Sequence, residues 1–135
     1  TCKSYDEARH ALSRTPLCLP TYFTLAGAKP GEGCVIERQP TEAFAHEAPA
    51  AAANHWLTPG QGEGERGGDS WERQARMHAM VRRGRPVMDW LKPPILNGFT
   101  RLAMTAEVAT GALWVQGWEA DGPATAPLRL SGNSP

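Results

Sequence analysis

Residues 21–38 read TYFTLAGAKPGEGCVIER, and the fold class turns on them. "TYFTLAG" (21–27) and "CVIER" (34–38) are rich in the β-branched and aromatic residues that suit a pleated surface. "AKPGEG" (28–33) between them supplies the Pro-Gly pair of a tight turn. The spacing predicts an antiparallel hairpin. A second hairpin follows the same logic, with "FTRLAMTAEV" (99–108) and "ALWVQGWE" (112–119) flanking "ATG".

Helices fill the gaps. Ser4 and Glu7 in "SYDEARHALSR" have the spacing of a capping box, and Tyr5, Ala8, Ala11 and Leu12 share one helical face. Thr15-Pro16 ends that helix. Asp69 or Ser70 is expected to cap a second helix, with Trp71, Ala75 and His78 at i, i+4, i+7 as its apolar stripe. "RPVMDWL" (85–91) reads as a shorter helix halted by Pro93-Pro94. Residues 41–54 have no clear period and are read as a strand, because Pro49 interrupts the helix-forming alanines. "TPGQGEGERGGDS" (58–70) is a glycine-rich loop, and the tail 119–135 is expected to be loosely ordered. The order α, β, β, β, α, α, β, β predicts an α+β fold, with antiparallel sheet and segregated helices. The 135 residues fit one domain or a large piece of one.

The 14 Lys+Arg balance 14 Asp+Glu, so no net charge recruits nucleic acid or an anionic membrane. No apolar run approaches the roughly 20 residues needed to cross a bilayer. Cys2, Cys18 and Cys34 are odd in number and scattered, describing neither a disulfide framework nor a zinc site. They favour a reducing compartment, the cytoplasm. Thr1 replaces an initiator methionine and no signal peptide opens the chain, which suggests a processed product or part of something longer. Richness in Ala, Gly, Pro and Arg points to a GC-rich bacterial genome.

Three candidate chemistries are weak. A terminal Thr1 nucleophile needs a strand to aim it, yet a helix cap begins three residues on. His46, His55 and Cys34 lack the close spacing of a metal motif, and no metal or cofactor is expected. "KPGEG" lacks the Gly-Lys-Ser/Thr ending of a phosphate loop and precedes a strand. "AAAANHWLTPG" (50–60) is more informative, because it delivers Asn54, His55 and Trp56 together before the glycine-rich loop. Arg73, in "DSWER", sits in a first helical turn, where the dipole prefers an acid. Another task for its guanidinium would explain the placement.

"YFTLAGAKPGEGCVIER", "ANHW", "DSWER" and "ILNGFTRLAMTAEVATGALWV" resemble, in order, segments of the acid ceramidase and N-acylethanolamine acid amidase group. That group lies in the choloylglycine hydrolase and penicillin V acylase superfamily of N-terminal nucleophile (Ntn) hydrolases. The resemblance spans roughly residues 3 to 118. It implies part of an αββα sandwich with antiparallel sheets. It also implies a cysteine exposed by autoproteolysis, which attacks an amide carbonyl to form an acyl-enzyme that water releases. Asn54 matches the family's oxyanion donor, and Ser70-x-x-Arg73 matches an arginine that holds the site. His55 and Trp56 are the candidates for substrate contact.

Two departures stand out. Ala53 replaces the family's usual threonine, and the nucleophilic cysteine should lie upstream of Thr1. The resemblance therefore implies the C-terminal part of an enzyme cleaving a lipid-like N-acyl amide. Its expected partners are the remaining N-terminal part of that enzyme or a second copy in a homo-oligomer. The rival readings are an acyltransferase of the isopenicillin N acyltransferase type and a non-catalytic binding fragment.

Overall fold

The structure, a computed structural model, describes residues 1–62, 67–81 and 88–132. Residues 63–66 of the expected loop, 85–87 of the expected third helix and 133–135 of the tail lie outside the described residues. Among the described residues, two helices, two antiparallel sheets and a 3-10 turn give an α+β fold.

Helix α1 spans Tyr5–Arg14. Its start is the expected cap: the Ser4 hydroxyl accepts from Glu7 N at 3.2 Å, and the Glu7 carboxylate accepts from Lys3 N at 2.6 Å. Thr15 turns extended and closes the helix, donating its N–H to Ala11 O. Carbonyls at a helix end need outside donors, and Arg38 provides them. Its guanidinium donates to Thr15 O at 2.8 Å and to Leu12 O, and Nε donates to Glu42 O at 3.1 Å. A full positive charge at the negative end of the helix dipole is favourable.

The first sheet has the order β1-β2-β3, with β1 at Thr21–Ala26, β2 at Gly33–Arg38 and β3 at Ala43–Glu47. The expected hairpin is present, pairing Thr21 with Arg38 through Ala26 with Gly33. Gly31 takes φ +85° in its turn, a conformation that favours glycine. The middle strand β2 is buried from Cys34 to Arg38, two charged residues included. Alternation along the strands puts Cys34, Ile36 and Arg38 on the α1 side, where Arg9 also meets Glu47. Tyr22, Val35, Glu37 and His46 share the opposite side, which carries the site.

The expected strand over 41–54 is corrected: β3 ends at Glu47. Pro49 has no N–H to continue a ladder. Beyond it only an isolated bridge, Ala53 to His55, interrupts irregular backbone. Ala51 in that stretch is buried, its carbonyl accepting from Gln74 Nε2 at 3.3 Å.

Helix α2 spans Ser70–Val81. Of the expected stripe only His78 is half-buried, since Trp71 is 56% exposed and Ala75 is exposed. Ser70, Arg73, Gln74, Met77, His78 and Met80 are the more covered positions. Polar contacts choose this face rather than apolar area. Met88–Trp90 forms the 3-10 turn where a short α-helix was expected, and Trp90 Nε1 donates to Thr105 Oγ1 at 3.1 Å.

The second sheet pairs β4 (Leu102–Glu107) with β5 (Ala112–Glu119) as expected, turning at Gly111 with φ +69°. The tail departs from expectation by adding strands: β6 (Gly122–Pro123) and β7 (Leu128–Leu130) both pair with β5. Backbone pairing along β5 orders a segment whose own side chains at 128–130 are exposed.

Candidate active site

Asn54, His55 and Trp56 border a cavity of about 530 Å³, together with Leu19, Pro20, Thr21, Tyr22, Gln39, Gln61 and Gly62. The segment 54–58 reaches it without regular structure, so tertiary hydrogen bonds must fix its backbone. They do so at both ends.

At the first end, the first residue of α2 reaches across. Ser70 is fully buried, and its Oγ accepts from Asn54 N at 2.7 Å and lies 2.8 Å from His55 Nδ1. One turn further along α2, Arg73 Nη2 donates to Asn54 Oδ1 at 2.9 Å. Residues 70 and 73 lie on the same helical face, so the Ser-x-x-Arg spacing delivers both groups to Asn54. The guanidinium thus has the other task that its placement in a first helical turn called for. Asp69, at φ 61°, turns the chain into the helix and accepts from Arg73 N at 2.8 Å.

At the second end, Glu37 is fully buried on β2 and receives the backbone. Thr58 N donates to Oε2 at 2.9 Å, and Leu57 N donates to Oε1. His46 Nε2 lies 3.0 Å from the same Oε2 and 3.3 Å from Thr58 Oγ1. Burial alone would push this carboxyl up. The hydrogen bonds from Thr58, His46 and the Leu57 backbone outweigh burial and hold its pKa below the ordinary value.

Between these ends the rings are packed. His55 is buried and stacks on Trp71 with centroids 3.6 Å apart, while Trp56 leans on Tyr22 at 4.8 Å. His55 is thus fixed in the wall, and Trp56 presents an aromatic surface to the cavity. His46, His55 and Cys34 do not converge: His46 serves Glu37, His55 meets Ser70, and Cys34 points to the opposite side of β2. Among the described residues no group of three or more potential ligands could hold a metal ion. No described helix is long and apolar enough to cross a membrane.

The sequence reading singled out Asn54, His55, Trp56 and Arg73, and all but Arg73 border one cavity, with Arg73 bonded to Asn54. Glu37 and Tyr22 carry no such signal in the sequence, and His46 is weighed there only as a metal ligand. Glu37 ends a strand-like run beside Arg38, where two charges look like a solvated strand end. Only their burial marks them out.

Chemically, the arrangement offers an amide with a fixed orientation at the edge of a cavity. Arginine carries donors only, so the atom facing it is the Asn54 oxygen and the Nδ2 group is turned away. Among the described residues no hydrogen bond occupies Asn54 Nδ2, and Asn54 is exposed.

An α+β chain with an amide held by a guanidinium at a cavity is the class that fold and site define. Its similarity to known proteins is narrower. Over 41 residues it is 50% identical to acid ceramidase of Mus musculus, covering 30% of this chain and 10% of that protein. The human acid ceramidase is 48% identical over 41 residues, with the same shares. That of Heterocephalus glaber is 53% identical over 36 residues, 27% of this chain and 9% of that one. The matched stretch thus spans about a tenth of the length of these curated relatives. No family model and no solved structure matches the chain.

Proposed function

We propose that this chain is the C-terminal part of an Ntn-type amidase that hydrolyses an N-acyl, lipid-like amide, with Asn54 as oxyanion donor. The observation that carries the reading is the Arg73–Asn54 bond, which engages the Asn54 oxygen and leaves its N–H groups for another acceptor, in a residue that borders the cavity. An amide carbonyl attacked by a thiolate gains negative charge on its oxygen. A donor already aimed at that oxygen stabilises the transition state without reorganisation. The local similarity to acid ceramidase supports the same class.

The nucleophile is an upstream cysteine. Its sulfur forms a bond to the carbonyl carbon, the C–N bond breaks, and the amine leaves with a proton passed on by the cysteine's own α-amine. Water then cleaves the thioester and releases the acid. Trp56 and Tyr22 wall the cavity beside this centre, while buried His55 keeps Asn54 in place through Ser70.

The second sheet supports a larger assembly. Met104 pairs with Val115, Val115 with Leu128 and Leu113 with Leu130, so one face is apolar across three strands. Leu102, Met104, Leu128 and Leu130 on it are 48–57% exposed. The rest of the enzyme is the proposed cover, as in a sandwich of two sheets.

The test is incubation of the complete protein with a fatty N-acyl amide. Expected are release of the free acid and a covalent acyl adduct, both lost when the upstream cysteine is replaced. Release that survives that replacement would contradict the mechanism.

A further inference from the structure

Glu37 lies on a strand, contributes nothing to the cavity wall, and yet spends both carboxylate oxygens on the segment that carries Asn54. A buried carboxylate is costly unless fully hydrogen-bonded. A simple sheet has no need of a fully buried one on its middle strand. The neighbouring charge, Arg38, faces the other side of β2 and serves α1. Glu37 therefore answers to residues 57–58, with His46 as its only charged-type neighbour among the described ion pairs.

We propose that Glu37 is a positioning residue: by clamping the backbone N–H groups of Leu57 and Thr58, it sets where the Asn54 amide stands. The inference rests on the amidase reading above. Segment 54–58 is held by Ser70 and Arg73 at one end and by Glu37 at the other. With the second clamp gone, the peptide that carries Asn54 is free to drift relative to the reacting carbon, while Trp56 keeps its contact with Tyr22. The depressed carboxyl pKa keeps Glu37 ionised, and so an acceptor at both oxygens, at neutral pH. Glutamine at this site keeps the volume but puts an NH₂ donor opposite a backbone donor.

The experiment compares Glu37→Gln, Asn54→Ala and the double variant in the complete enzyme, measuring kcat and KM for a fatty N-acyl amide. Displacing a reacting group by about 1 Å costs up to about 10²-fold in rate, so Glu37→Gln should lower kcat by about 10- to 100-fold with KM unchanged. Its loss should not multiply with that of Asn54→Ala, because both remove the same donor from its place. A merely structural role would lower the melting temperature and leave kcat of the folded fraction intact.

Asn54→Ala lowering kcat while Glu37→Gln leaves it at wild type, or losses that multiply in the double variant, would overturn the inference and leave the amidase reading standing. Indifference of kcat to Asn54→Ala would sink both, and the two failures are thereby told apart. If Glu37→Gln does not fold, amide hydrogen exchange in the wild-type enzyme decides. Slow exchange at Leu57 and Thr58 supports the clamp, and exchange as fast as in an exposed loop overturns it.

Discussion

Arg73 Nη2 donates to Asn54 Oδ1 across 2.9 Å, and this bond holds the oxygen end of the amide on the guanidinium. Without it the side chain rotates about its terminal torsion, and either oxygen or nitrogen faces the substrate. Arg73→Ala should therefore lower kcat by about 10- to 100-fold, a misplacement effect, with little change in KM. Arg73→Lys keeps one donor and the charge but loses the planar fork. Because the contact is a single bond, lysine should recover part of the loss. Steady-state kinetics of both variants check this, and wild-type kcat in Arg73→Ala would show that the amide is oriented by something else.

Ser70 supports the same residue from below. Its buried hydroxyl accepts from Asn54 N and meets His55 Nδ1, so Ser70→Ala leaves buried polar groups unmatched. The expected cost is about 1–3 kcal/mol for such a loss, read as a lower melting temperature. An unchanged melt would mean that solvent reaches these groups.

Acid should weaken the protein through Glu37. Its folded pKa lies below the ordinary value of 4.5, so its hydrogen bonds contribute stability above that value. The contribution is lost as pH falls through the folded pKa. Glu37→Gln should flatten the acid limb of a stability-against-pH curve in that window. Parallel limbs in wild type and variant would contradict the assignment.

Trp56 can be moved without touching it. A Cβ added at Gly62 would come within 2.5 Å of the Trp56 indole, forcing the ring off its contact with Tyr22. Gly62→Ala should raise KM more than it lowers kcat, because the ring lines the cavity and its proposed role is contact with substrate. Equal KM values in the two proteins would remove Trp56 from the substrate wall.

Much of the scaffold was legible in the residues. The Ser4–Glu7 cap, the Pro-Gly turn between β1 and β2, and Gly111 between β4 and β5 are local signals, and each sits where expected. The misreadings share a cause, which is tertiary contact overriding local pattern. Trp71 looks like a core anchor for α2 but is half exposed, because the inner face was chosen by Ser70 and Gln74 bonding to the 51–55 segment. Leu128–Leu130 is too short a run to signal a strand and forms one only by pairing with β5. At the site, Asn54 and Arg73 were named together by family resemblance, since a separation of 19 residues carries no local signal. Glu37 was invisible for the opposite reason: a charged residue at a strand end usually faces water, and nothing in "CVIER" says that this one receives two backbone N–H groups.

The most direct test of the account is the kinetics of Asn54→Ala in the complete enzyme, with a thermal melt to confirm the fold. An N–H that meets the oxygen only as charge develops stabilises the transition state and not the bound substrate. The predicted result is a fall in kcat on the order of 10²–10³, about 3–4 kcal/mol, with KM little changed. Asn54→Asp should be at least as damaging, because a carboxylate has no donor and repels the oxyanion. Turnover of Asn54→Ala within about threefold of wild type, far below the loss of a true oxyanion donor, would contradict the role assigned to this residue.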